Sequence, residues 1–131
     1  MAMSEVAAET RDILQRAVVA LAQPADVQLS LFPDFVCKAD ELALDFEDGL
    51  YELVGHKDEI TGEQQANLDA LDRLLSGMND SQDALVWTEE ALRTHPAWVE
   101  VRTAAAATAA AFGWELTRPM QSRAIYIPSS K

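Results

Sequence analysis

The run from Asp34 to Val54 constrains this chain most, because two patterns of opposite character share it. At helical spacing Phe35, Ala39, Leu42, Phe46, Leu50 and Leu53 form one apolar stripe, with Val36, Ala43 and Val54 beside it. Asp34, Glu41, Asp45, Asp48 and Glu52 recur at i, i+7, i+11, i+14 and i+18, which predicts a row of carboxylates on the opposite face. Such a helix has one dry face and one acidic face. A rival reading stays open, since Leu42, Leu44 and Phe46 also alternate and Asp48-Gly49 is a strong hairpin turn, giving an α+β alternative.

The flanking sequence predicts more helices. Ser4 is a candidate N-cap for a first helix through Val6, Thr10, Ile13, Ala17 and Leu21, stopped near Gln23 and Pro24. Thr61 and Gln64 have the spacing of a capping box ahead of Leu68, Leu71, Leu75 and Met78, with Gly77 as the expected stop. Ser81 or Thr88 caps a shorter helix that ends before His95-Pro96. Pro96 then suits the first turn of another helix, in which Ala104 to Ala111 remove bulk and allow close approach by neighbours.

Two stretches depart from this period. Val27, Leu29 and Leu31 alternate with polar residues, so 26–33 reads as an extended connector. Residues 114–131 read as an extended or β segment with a β-leaning patch from Ala124 to Ile127. The expected fold is therefore a mainly α single-domain bundle over 1–131, with about five helices and a minor extended or β element.

With 131 residues and 49% apolar content, the chain has enough material for one core without a metal or disulfide. Its formal charge is −12, concentrated in residues 41–80, which hold 11 acidic and 2 basic groups. A surface of that sign repels phosphate backbones and anionic membranes, so neither direct nucleic-acid binding nor membrane association is expected. A basic protein partner is the positive implication. The five carboxylates Asp34, Glu41, Asp45, Asp48 and Glu52 are its candidate docking surface. Over a helix they would span roughly 27 Å, a spacing also of the order needed to imitate a phosphate backbone, although every acidic helix shares it.

Catalytic signatures are sparse. No glycine-rich phosphate loop, G-x-S-x-G turn or H-E-x-x-H helix occurs, and Glu52/His56 and His95/Glu100 lack the Glu-x-x-His spacing of bundle metal sites. No catalytic residue, metal ligand or cofactor is therefore expected. An enzyme built on carboxylates with His56 or His95 ranks below the binding readings. Cys37 is the only cysteine, and the first residues lack the basic start and apolar core of a signal peptide, so the expected compartment is the cytoplasm.

One short motif adds a specific alternative. Gln28-Leu29-Ser30-Leu31-Phe32 resembles the pentapeptide QL[S/D]LF by which bacterial replication and repair proteins dock on the sliding clamp. The resemblance implies that Gln28 is a polar anchor at one end of an extended peptide, with Leu29 between and Leu31 and Phe32 filling the cleft. Two functions thus come from the sequence. The first is a non-catalytic acidic interaction module, of adaptor, inhibitor or immunity-like type, that binds a basic protein. The second is a replication or repair accessory protein docking on the clamp.

Overall fold

The computed structural model describes residues 2–81 and 83–117. Among them are six α-helices and no strand: α1 (Ala2–Ala22), α2 (Ala25–Ser30), α3 (Lys38–Leu53), α4 (Gly62–Asp80), α5 (Glu89–Thr94) and α6 (Pro96–Phe112). Short 3-10 turns at Val54–Glu59 and Ala84–Trp87 precede α4 and α5. The mainly α expectation holds.

Local chemistry explains the boundaries. The Thr61 hydroxyl accepts from the Gln64 N–H at 3.1 Å, and the Gln64 side chain accepts from the Thr61 N–H at 2.8 Å, completing the capping box of α4. Thr88 caps α5 by accepting from the Ala91 N–H at 3.1 Å. At the start of α6, His95 Nδ1 accepts from the Ala97 N–H at 3.0 Å while Pro96 occupies the first turn. Gly113, at φ 73°, ends α6 in the left-handed conformation.

The four long helices pack in the order α3, α1, α6, α4. α1 lies against α3 on one side and α6 on the other, and α6 in turn packs on α4. Ala105 and Ala109 on α6 are fully buried, so small side chains let two neighbours approach this helix closely. Leu14, Val18 and Leu21 from α1 share one buried core with Leu42 and Phe46 from α3, Leu68 and Leu71 from α4, and Trp98 and Val101 from α6. Burying each of these large side chains contributes about 1.5–3 kcal/mol. The outer pair, α3 and α4, has no comparable direct packing, and the fourth side of the bundle is left as a groove.

Several expectations are corrected. The segment 26–33 is not an extended connector: Pro24, at φ −58°, starts α2, and the Gln28 N–H bonds to the Pro24 carbonyl at 3.0 Å. Its buried positions, Gln28, Leu29, Leu31 and Phe32, stand at i, i+1, i+3 and i+4, so the short alternation was one side of a helical turn. α3 starts at Lys38 rather than Asp34, because Pro33 heads a turn closed by the Val36 N–H and Cys37 is extended. Phe35 and Val54 consequently leave the dry stripe and are 51% and 62% exposed.

Asp48-Gly49 lies inside α3, which removes the hairpin alternative. Gly77 does not stop α4, which continues to Asp80. Residues 114–117 carry no regular structure, so the minor β element is not seen there. The Ala124 to Ile127 patch lies outside the described residues.

Candidate functional site

α3 presents three faces rather than two. Ala39, Leu42, Phe46, Gly49 and Leu53 are buried, and the polar positions divide into flanks on either side of them. The first flank holds four of the five expected carboxylates, Glu41, Asp45, Asp48 and Glu52, at i, i+4, i+7 and i+11. Asp34 is separate from them: it stands in the turn before the helix, fully exposed, with Lys38 Nζ 3.0 Å away.

This row lies at the seam with α1, not opposite the core. Asp48 and Glu52 are exposed, but Glu41 and Asp45 are half-buried, and Arg16 of α1 acts on Asp45. Burial above all, then the neighbouring charges of Glu41 and Asp48, push the Asp45 carboxyl up to about 6, while Arg16 pulls the other way. The row is thus partly engaged within the fold.

The second flank faces the open side of the bundle. Asp40, Ala43, Leu44 and Glu47 fall at i, i+3, i+4 and i+7 of α3, opposite Asp72, Leu75, Ser76 and Asn79 with the same spacing on α4. Between them runs a groove of about 350 Å³ with Phe46 at its floor and Trp87 also in its lining. Three carboxylates and no basic side chain line it. Leu44 is 48% exposed, so the groove offers apolar surface to solvent.

Trp87 is held from several directions. Its ring meets Trp98 edge to face at 5.8 Å and 84°. The Cys37 thiol donates to its carbonyl at 3.5 Å, and Trp98 Nε1 donates to the adjacent Val86 carbonyl at 2.8 Å. This wall of the groove is therefore set before any ligand arrives.

The pentapeptide is elsewhere, in the core. Gln28 is completely buried, and Leu29, Leu31 and Phe32 are 8%, 4% and 6% exposed. Gln28 Nε2 donates to the carbonyls of Ala20 at 3.2 Å and Leu21 at 3.0 Å, satisfying the end of α1. Its Oε1 has no hydrogen-bond partner among the described residues. The glutamine is a helix-end clasp, and Leu29, Leu31 and Phe32 belong to the buried core.

Groups suited to chemistry are dispersed. His95 caps α6 and sets Nε2 3.4 Å from Asp83 Oδ2, while His56 Nδ1 lies 2.6 Å from Glu59 Oε2. Burial pushes the Cys37 thiol up; the backbone N–H of Asp40 acts against that shift and the Asp40 carboxylate adds to it, and the net rise disfavours a nucleophilic thiolate. Among the described residues no cluster of three or more His, Cys, Asp or Glu is arranged to hold a metal ion. No helix among them is long and apolar enough to cross a membrane.

The sequence patterns marked Ala43, Phe46 and Leu75 of the groove lining as apolar positions of helices and did not single out the groove as a site. Leu44 broke the apolar stripe and Asp40 and Glu47 broke the acidic row, yet together they form a mixed stripe at i, i+4 and i+7, a signal the sequence did carry. Trp87 could be placed only through the path of the chain after α4. No family model, no curated protein and no solved structure matches this chain.

Proposed function

We propose that this protein is a non-catalytic interaction module that takes a basic, amphipathic segment of a partner protein into the groove between α3 and α4. The observation that carries this reading is the pairing, in one groove, of apolar Leu44, Leu75 and Trp87 with Asp40, Glu47 and Asp72 and no cation. Apolar and aromatic anchors supply most of the energy of such contacts, and charges supply orientation and rate. A groove of about 350 Å³ suits a few side chains on one face of a helix or extended segment. The excess of nine negative charges over residues 41–80 would draw a basic partner and repel phosphate.

The reading covers adaptor, inhibitor and immunity-like roles. A reducing compartment such as the cytoplasm suits a chain whose only cysteine, Cys37, is an exposed free thiol. Docking of Gln28 to Phe32 on a clamp stays an expectation of the sequence. With Leu31 and Phe32 in the core, neither side chain stands free to enter an external cleft.

The test is a calorimetric titration of the full chain with a synthetic amphipathic peptide, leucines on one face and lysines on its flanks. Binding should weaken about tenfold between low salt and ~0.5 M salt, and Asp72→Lys or Leu44→Asp should abolish it. Affinity indifferent to salt and to both substitutions overturns the reading.

A further inference from the structure

The α3 wall of the groove continues beyond its deepest part. Asp40, Leu44 and Glu47 line it at i, i+4 and i+7, and the same steps lead on to Tyr51 and Val54 at i+11 and i+14. Val54, at φ −51° and ψ −40°, keeps the helical path, so all five positions share one flank of α3. Tyr51 is 78% exposed, Val54 is exposed too, and both side chains stand outside the core. The flank thus alternates acid and apolar over roughly 21 Å, and its apolar members are open to cover by a ligand.

The spacing selects the conformation of that ligand. Asp40 and Glu47 are seven residues apart, roughly 10.5 Å along the helix axis, and Leu44 and Tyr51 repeat the interval one turn further on. A second helix lying along α3 has the same interval between its own residues i and i+7, so its side chains meet both pairs in register. An extended segment has about 6.7 Å or ~13 Å between residues on one face, because successive side chains alternate, and falls out of step. A helix also fits the space. The two walls, α3 and α4, have no comparable direct packing, and a helix about 10 Å across closes the fourth side of the bundle.

The charges select which helix. Asp40 and Glu47 on one wall and Asp72 on the other call for cations on both flanks of the ligand, with apolar residues between. No described helix of this chain carries two cations seven residues apart; Arg11 and Arg16 of α1 are five apart. The complement of the groove is therefore not found among them.

Taking the groove as the binding site, we infer that its ligand is an amphipathic α-helix of another protein, about four turns long. Cations at i and i+7 of that helix pair with Asp40 and Glu47, a further cation faces Asp72, and apolar residues at i+4 and i+11 cover Leu44 and Tyr51. The groove reading is thereby given a conformation, a length and a charge register for its partner.

Two peptides of about 15 residues, each titrated calorimetrically into the full chain, test the conformation. One carries lysine and leucine at alternating steps of four and three. The other adds proline at two positions facing solvent, which bars the helix and leaves the contact face unaltered. The first should bind about tenfold tighter or more, and NMR of that peptide, isotope-labelled and bound, should show helical shifts along its length. Equal affinities, or extended-chain shifts in the bound peptide, overturn the helical ligand while leaving the groove a binding site. Binding by neither peptide overturns both.

Tyr51→Ser tests the length. It changes an exposed side chain outside the core and should lower the affinity of the first peptide about fivefold, with the thermal midpoint unchanged. Unaltered affinity would confine the ligand to the span from Asp40 to Glu47 and overturn the four-turn length. Sedimentation of the full chain alone should give a monomer. A dimer that the peptide dissociates would assign the groove to a second copy and overturn the partner helix.

Discussion

Gly49 of α3 rests on the backbone of Leu14 in α1: a Cβ added at Gly49 would stand 2.9 Å from Leu14 Cα and 3.1 Å from its Cδ1. The nearest obstacle is main chain, which cannot rotate aside. The glycine is thus the point where the two helices touch, although helix propensity alone favours alanine there by about 1 kcal/mol.

Gly49→Ala should therefore destabilise the protein by about 1–2 kcal/mol, because overpacking outweighs the propensity gain. Gly77→Ala is the control. No atom lies within 4 Å of a Cβ built at Gly77, and it sits within α4, so this substitution should stabilise by about 0.5–1 kcal/mol. Urea denaturation of both variants reads the difference, and stabilisation by Gly49→Ala would deny the close contact.

Asp45 gives a pH prediction. Its folded value, about 6, lies above the ordinary 3.8, so the folded chain holds this proton more tightly than the unfolded chain. The contribution of Asp45 to stability consequently falls as pH rises from about 4 to about 6, and stays low above that window. Asp45→Asn should raise the thermal midpoint at pH 7 by about 2–4 °C, after allowing for the part of the carboxylate that solvent screens. Near pH 4 the two proteins should melt together in calorimetry. A lower midpoint for Asp45→Asn at pH 7 would mean that attraction to Arg16 outweighs the cost of burial.

Gln28 is expected to be structural. Gln28→Met keeps the bulk but strips the donors from the Ala20 and Leu21 carbonyls, at a net cost of about 1 kcal/mol because the unpaired Oε1 disappears too. Gln28→Glu should cost more at pH 7, since a buried carboxylate would face two carbonyls, and should recover partly on acidification. Chemical denaturation at two pH values checks this order; equal stability of all three proteins contradicts the clasp.

Much of the fold was legible in the residues. The capping box at Thr61 and Gln64, the proline before α2, Pro96 and Gly113 are local signals, and each marks an element edge in the structure. Gly49 was legible as an oddity but not in its cause, because its reason is Leu14, 35 positions away in the sequence. The pentapeptide misled about conformation for a related reason. Five residues are too few to separate a period of two from one helical turn. Four of the five carboxylates expected in the acidic row share one flank of α3, Asp34 falling outside the helix, and the orientation of that flank depended on where α1 packs. The groove depended on the path that brings Trp87 beside α3.

Groove substitutions should separate binding from folding. Leu44→Asp changes a half-exposed position and should alter stability by less than about 0.5 kcal/mol, while removing peptide affinity. Circular dichroism and calorimetry on the same sample make the comparison; unfolding of Leu44→Asp would show that Leu44 belongs to the core.

The most direct measurement is an NMR shift map of the isotope-labelled full chain during titration with the leucine-lysine peptide. The largest changes should fall on Asp40, Leu44, Glu47, Asp72, Leu75 and the Trp87 indole. Changes confined to the row from Glu41 to Glu52, or no saturable change at any of those six residues, would contradict binding in the groove.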